Sequence, residues 1–208
     1  MKKSAKYTFK WMEVFSKKHL LSHVALLLYL ASIKLLIPLI TSRDFGFHRD
    51  EFLYMAMGEH LAWGYLEVPP SIAVVANIPR WLIGDSLFAI RFIPGLTGAL
   101  TLLLTGLIAR ELGGGRFAQI LSAVAYLFSA LYLHINLLFQ PVTFDLFYFV
   151  LGAYLFIRIL KTDEPKIWLL LGVVTGLGWF WERSYSWGTS EISLGSPPPP
   201  SYQTNFVA

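Results

Sequence analysis

Apolar residues along this chain come in long unbroken runs, not in the short alternating patterns of strands. Five such runs stand out, at residues 19–40, 86–109, 117–138, 143–160 and 166–181. The first is 22 residues long, and at about 1.5 Å per residue a helix of that length reaches roughly 33 Å. That is enough to cross a hydrocarbon core of about 30 Å. A cleaved signal peptide fits less well, because the run exceeds a usual apolar core and no small-x-small site follows it. Lys34, inside the run, is expected to snorkel to the far interface. Residues 71–83 are too short to span and contain Asn77, Pro79 and Arg80, so they predict a helix lying at the membrane interface. Before them, Phe52, Met55, Ala56, Leu61 and Ala62 recur with Glu59 and His60 between, which is the spacing of a second surface helix. The pattern predicts an all-α polytopic membrane helix bundle, about five spans plus two interfacial helices on the outer face.

Composition sharpens this picture. Only 14% of residues are charged, whereas 55% are apolar and 16% aromatic. A soluble domain carries about 25% charged residues, so an ordinary soluble enzyme, a disordered chain and a nucleic-acid-binding domain are all excluded. There is no cysteine, which removes disulfides, thiolate metal sites and cysteine nucleophiles. The net charge of +4 is explained by position. Lys2, Lys3, Lys6, Lys10, Lys17 and Lys18 precede the first run, opposed only by Glu13, and read as a cytoplasmic anchor. With that start inside, Arg110, Arg116, Arg158, Lys161 and Lys166 fall in inner loops. The longer outer segment 41–70 carries acids and histidines among its few arginines. The bias agrees with an N-terminus in the cytoplasm and a C-terminus outside.

The densest polar cluster beside the membrane runs from Arg43 to Tyr54 and contains Asp44, His48, Arg49, Asp50 and Glu51. Asp50 and Glu51 sit where a helix dipole favours negative charge, so they are either caps or functional acids. Asp145, just inside the run 143–160, is the second candidate. A carboxylate in such apolar surroundings is a functional residue by default, against the alternative of a helix-start acid with Thr143 as the cap. Asp50 and Asp145 are distant in sequence yet both fall at the outer interface, where two converging carboxylates suit general-base work or metal binding. Gly113, Gly114 and Gly115 predict a tight inner turn, since no Lys-Ser/Thr follows as a phosphate cradle requires.

An Asp-Glu pair after the first span, Pro69-Pro70 some twenty residues later, an interfacial helix and then Gly-Asp-Ser-Leu-Phe-Ala-Ile-Arg-Phe form a recognisable series. Arg-Glu-Leu-Gly-Gly-Gly-Arg between spans and an Asp opening a later span continue it. Over residues 20–180 the chain resembles the N-terminal half of the GT-C membrane glycosyltransferases, the protein O-mannosyltransferase and aminoarabinose-transferase superfamily. The resemblance implies inverting transfer of a sugar from a polyprenyl-phosphate donor to a glycan, lipid or protein acceptor at the outer face. It places the catalytic acid at Asp50 with Glu51 beside it, and the second outer-loop acid at Asp145. Residues that would meet substrate are His48, Arg49, Tyr54, Pro69, Pro70 and Arg91. Many members have a basic residue before the Pro-Pro, but Glu67-Val68 stand there in this chain. Arg49, Arg80 and Arg91 are the candidates to meet the donor phosphate in its place, each against the alternative of a structural role. No cofactor is required, and a divalent cation is compatible with the chemistry. The implied location is a bacterial inner membrane.

From residue 182 the pattern changes. Residues 182–208 hold six serines and the run from Pro197 to Pro200, and predict a disordered tail after a membrane unit of residues 1–181. The abrupt loss of helical pattern suggests a truncated or frame-shifted end. The competing functional class is a transporter subunit or a non-catalytic membrane protein. A shared outward pocket for Asp50 and Asp145, as against a continuous pore, discriminates the two. The absence of cysteine makes the orientation directly testable. A single cysteine at Ser42 should react with an impermeant thiol reagent in intact cells, and labelling only after the cytoplasm is opened would overturn the layout.

Overall fold

The computed structural model describes residues 23–41, 46–63, 65, 68–82, 84, 86–162 and 164–193. The lysine-rich start, Arg43, Asp44, Glu67 and the proline run lie outside the described residues. The described chain is helical throughout, with α1 His23–Thr41, α2 Arg49–Glu59, α3 Pro70–Leu82 and α4 Leu87–Glu111. These are followed by α5 Arg116–Phe128, α6 Ala130–Ile135, α7 Pro141–Ile159 and α8 Pro165–Ser193. Three of them, α1, α4 and α7, are long and apolar enough to cross a membrane, and α5 and the first half of α8 are shorter apolar helices.

Helix α4 is the central post, and small residues let its neighbours approach. A Cβ on Gly106 would stand 2.6 Å from a Leu27 methyl, and one on Gly95 would stand 2.9 Å from the Pro38 ring. Leu27 therefore meets the far end of α4 and Pro38 its beginning, so α1 and α4 run antiparallel. Small residues serve this role inside membranes because packing, not hydrophobic burial, holds helices together there. Gly113, at φ +89°, makes the turn into α5, and the Gly114 amide closes it on the Ala109 carbonyl at 2.8 Å. At this end Arg158 and Lys161 lie 3.8 and 3.4 Å from the Glu111 carboxylate, so α7 runs parallel to α4. Helix α8 returns along α7, with Gly178 against Tyr148 and Trp181 stacked on Phe144 at 4.6 Å. The basic loops thus gather at one end, and α2 and α3 sit at the other.

Several expectations need correcting. The run 117–138 is not one helix: Ser129 adopts φ −66°, ψ 119° and divides α5 from α6. Nothing in the sequence marks this break, which carries neither Gly nor Pro. The segment between α5 and α7 folds back into the bundle, where Asn136 packs against Gly98, eleven residues along α4. Backbone groups freed at that depth must find partners inside the protein. Lys34 donates to the Tyr132 carbonyl at 2.9 Å and Thr143 Oγ1 to the Ile135 carbonyl at 2.7 Å. Lys34 is therefore buried, 1% exposed, instead of snorkelling outward, and it lies 5.2 Å from the centre of the Tyr126 ring. Tyr126 in turn stacks on Tyr132 and its hydroxyl accepts from Asn136 Nδ2 at 3.0 Å. Thr143 is accordingly no cap. Helix α7 starts at Pro141, which suits a first-turn position and forces Gln140 to be extended.

At the other boundary, α8 continues through Ser193, past the point where a disordered tail was expected to begin. Residues 182–193 contain no proline, so no residue there lacks the amide that a helix needs.

Two glycines give the packing a direct test. Gly98→Ala would place a Cβ 2.6 Å from Asn136 and should destabilise the bundle by about 1–3 kcal/mol through overpacking. Gly152→Ala, where a Cβ meets nothing within 4 Å, should instead stabilise by up to about 1 kcal/mol from helix propensity alone. Thermal unfolding in detergent measures both signs.

Candidate functional site

The site is organised by the start of α2. His48 is the N-cap, accepting from the Asp50 amide through its side chain, and Glu51 reaches back to complete a capping box. This geometry points two adjacent acids in different directions. Glu51 turns inward and is fully buried, whereas the Asp50 side chain is about one-third exposed.

Four donors converge on the Glu51 carboxylate. Oε1 accepts from Arg91 Nε at 3.2 Å and from the Phe139 amide at 3.1 Å. Oε2 accepts from Arg91 Nη2 at 3.0 Å and from the His48 amide at 2.8 Å. Arg91 Nη2 also donates to the Gly46 carbonyl at 2.9 Å. A carboxylate has about four lone-pair sites, so Glu51 has no acceptor left for a substrate proton. The expectation that it joins the chemistry does not fit this environment. Arg91, 0% exposed, is likewise taken up by Glu51 and is not open to a donor phosphate. The pair is a clamp that ties α2, α4 and the approach to α7 together.

Other expected residues divide in the same way. Tyr54 is buried in the core with its ring edge-on to Phe139 at 6.2 Å. Pro69 is fully buried and Pro70 opens α3, with the Ile72 amide donating to the Pro69 carbonyl. The Pro-Pro pair therefore builds the α3 start instead of facing a ligand. Arg80 is paired with Glu59 at 3.0 Å. The residues left at the surface are His48, Arg49 and Asp50. The Asp50 carboxylate lies 3.6 Å from His48 Nδ1 and 3.5 Å from Arg49 Nε, and the Arg49 side chain is 93% exposed.

Asp145 lies on the second turn of α7, and the Phe139–Glu51 hydrogen bond brings that end of α7 to the end where α2 begins. Asp145 lines an open cavity of about 750 Å³ between α7 and α8. The remaining lining is almost wholly apolar and runs along α7 to Phe156 and along α8 from Leu171 to Trp179. It is a greasy groove with one carboxylate near its α2 end, a feature that sequence reasoning missed because it depends on how two helices splay. Asp50 is not among its lining residues. Among the described residues no three His, Asp or Glu side chains gather as a metal site would require.

The sequence pattern of the dolichyl-phosphate-mannose-protein mannosyltransferase family matches residues 67–182, more than half of the chain. The chain belongs to that family. No curated protein and no solved structure matches it. The family is one of membrane glycosyltransferases that use a lipid-linked sugar, and the apolar helices make this chain a multi-pass integral membrane protein.

The clamp predicts a double-mutant signature. Arg91→Met leaves a buried carboxylate without its counter-charge and should destabilise by about 3–5 kcal/mol. Combining it with Glu51→Gln should cost clearly less than the two singles together, with a coupling of about 0.5–3 kcal/mol. Arg49→Met, at an exposed side chain, should stay within about 0.5 kcal/mol of the parent. Unfolding of the four variants in detergent checks the set.

Proposed function

We propose that this member of the family transfers a sugar, with inversion, from a polyprenyl-phosphate donor to an acceptor at the outer face of the membrane, with Asp50 as general base. The observation that carries the reading is the clamp. By fixing Glu51 to Arg91 and Phe139, it holds Asp50 at the surface beside two basic side chains, at the end of the bundle where the α7–α8 groove begins.

The chemistry follows from that arrangement. A sugar hydroxyl is a weak nucleophile, and a carboxylate within reach takes its proton as attack on the sugar carbon develops. The carbon–oxygen bond to the lipid phosphate breaks on the opposite face, and the released phosphate carries the charge away. Arg49, whose side chain is 93% exposed and able to swing away from Asp50, is the group proposed to meet that charge. No cofactor is needed, and a divalent cation would serve the same leaving group. The groove offers the prenyl tail an apolar course along α7 and α8 while Asp145 stays near the polar end to orient donor or acceptor. The basic residues gathered at the Glu111 end face the cytoplasm under the positive-inside rule. On this reading the α2–α3 end faces outward, and the proposed location is a bacterial inner membrane.

Asp50→Asn keeps size and hydrogen-bonding capacity but removes the base. Sugar transfer from a polyprenyl-phosphate-linked donor should fall about 10²–10⁴-fold, with the thermal midpoint unchanged because Asp50 is outside the clamp. Asp145→Asn should also impair turnover. Asp44→Asn is the neighbouring control and should keep near-normal rates. Normal turnover by Asp50→Asn would overturn the assignment.

A further inference from the structure

The far ends of α2 and α3 enclose a second, shallow cavity of about 520 Å³, lined by Gly58, Glu59, Leu61, Asn77, Arg80 and Trp81. Its walls are built before any ligand arrives. Asn77, 7% exposed, donates to the Gly58 carbonyl at 2.7 Å. Arg80 reaches the Met55 carbonyl at 3.4 Å and Glu59 at 3.0 Å, with its side chain only 18% exposed. Against this fixed polar wall stands Trp81, 78% exposed. An indole so open, on the rim of a cavity floored by immobilised polar groups, has no task in packing α2 on α3.

We propose that this cavity is a saccharide subsite, holding a neutral sugar ring of the acceptor. The Arg80–Glu59 pair is charge-compensated, so the cavity offers no net attraction to a phosphate. The Glu59 carboxylate, 56% exposed and held in place by Arg80, keeps acceptor capacity for vicinal hydroxyls. The flat indole suits the C–H face of a sugar ring, as aromatic groups do where one side of a ligand is apolar and the other wet. Position supports the same ligand. Glu59 is nine residues along α2 from Asp50, roughly 13 Å at about 1.5 Å per residue. A ring seated here belongs to an acceptor longer than one sugar whose reacting hydroxyl lies at Asp50. The inference rests on the proposed transfer for the ring's role, but the binding itself requires no turnover.

The test uses the full chain in lipid nanodiscs and a mannose disaccharide as probe, read by saturation-transfer NMR. The sugar ring protons should receive saturation, and Trp81→Ala should weaken the affinity about tenfold, the loss of one good contact. Trp81→Phe, which keeps a flat face, should restore most of it, and Arg80→Lys should weaken binding because a point charge replaces the planar fork. Asp50→Asn should still pass saturation to the probe's ring protons, because the ring held at Trp81 does not touch Asp50. A subsite without catalysis at Asp50 is thereby distinguished from catalysis without a subsite. Absence of saturation transfer, or equal binding by Trp81→Ala, overturns the proposal. So does quenching by brominated lipid that Trp81→Phe removes and the disaccharide does not protect against, because the indole would then be a membrane anchor.

Discussion

A carboxylate and a guanidinium, both removed from water, decide how this end of the bundle is built. Burying either ion alone costs several kcal/mol, and the pair is tolerated only when geometry is good and the remaining lone pairs are satisfied. Glu51 and Arg91 meet both conditions through the parallel contacts from Nε and Nη2 and through the His48 and Phe139 amides. The consequence is positional. Because each partner is fixed by elements far apart in the chain, the start of α2, the second turn of α4 and the stretch leading into α7 cannot move independently. Tyr54, Ile90, Phe139 and Phe144 then pack as one apolar cluster around the pair, which keeps water out and strengthens the electrostatics that assembled it.

The break at Ser129 is the second constraint, and it is met by a different route. A non-helical backbone inside a bilayer is allowed only where protein groups replace water. Here the replacements come from three places: Lys34 on α1, Thr143 on α7 and Glu51 on α2. Phe139 receives its partner from the clamp, so the folded-back segment and the ion pair form one system. Lys34 illustrates why reading a single helix is insufficient. A lysine in an isolated span lowers its free energy by reaching for the headgroups, but the Tyr132 carbonyl, which takes Lys34 as a second donor beside the Asn136 amide, and the Tyr126 ring offer a competing site in the interior.

The fold was largely legible in the sequence because membrane burial leaves a coarse signature. Runs of apolar residues announced α1, α4 and α7, the Gly113 turn was visible as a glycine cluster, and the short stretch at 71–83 was read as a helix too short to span. What escaped were features decided by contacts between helices. Ser129 ends α5 without a breaker residue, so periodicity carried the helix through it. The α7–α8 groove depends on how the two helices meet, with Gly178 close against Tyr148, which no local pattern encodes. In the site, Asp50, Glu51 and Asp145 were all noticed as acids out of place beside lipid. Sequence could not divide them, because an acid at a helix start looks the same whether it caps, clamps or faces solvent.

That division is resolved by the geometry of one helical turn. Successive residues on a helix differ by about 100° in direction, so of two neighbouring acids at an N-terminus only one can face the core. The capping box assigns the inward direction to Glu51, three residues after His48, and the buried Arg91 fixes that choice. Asp50 is then held outward by the same bonds that disable its neighbour as a base. A carboxylate at the surface with acceptor capacity left can take a proton from a substrate, whereas one enclosed by four donors is suited to hold a shape. The adjacent pair reads as one device with two parts. In the proposed mechanism the rigidity of Glu51 would supply the placement that Asp50 needs as base, since a base on a loop free to move would lose much of the advantage that fixed orientation gives.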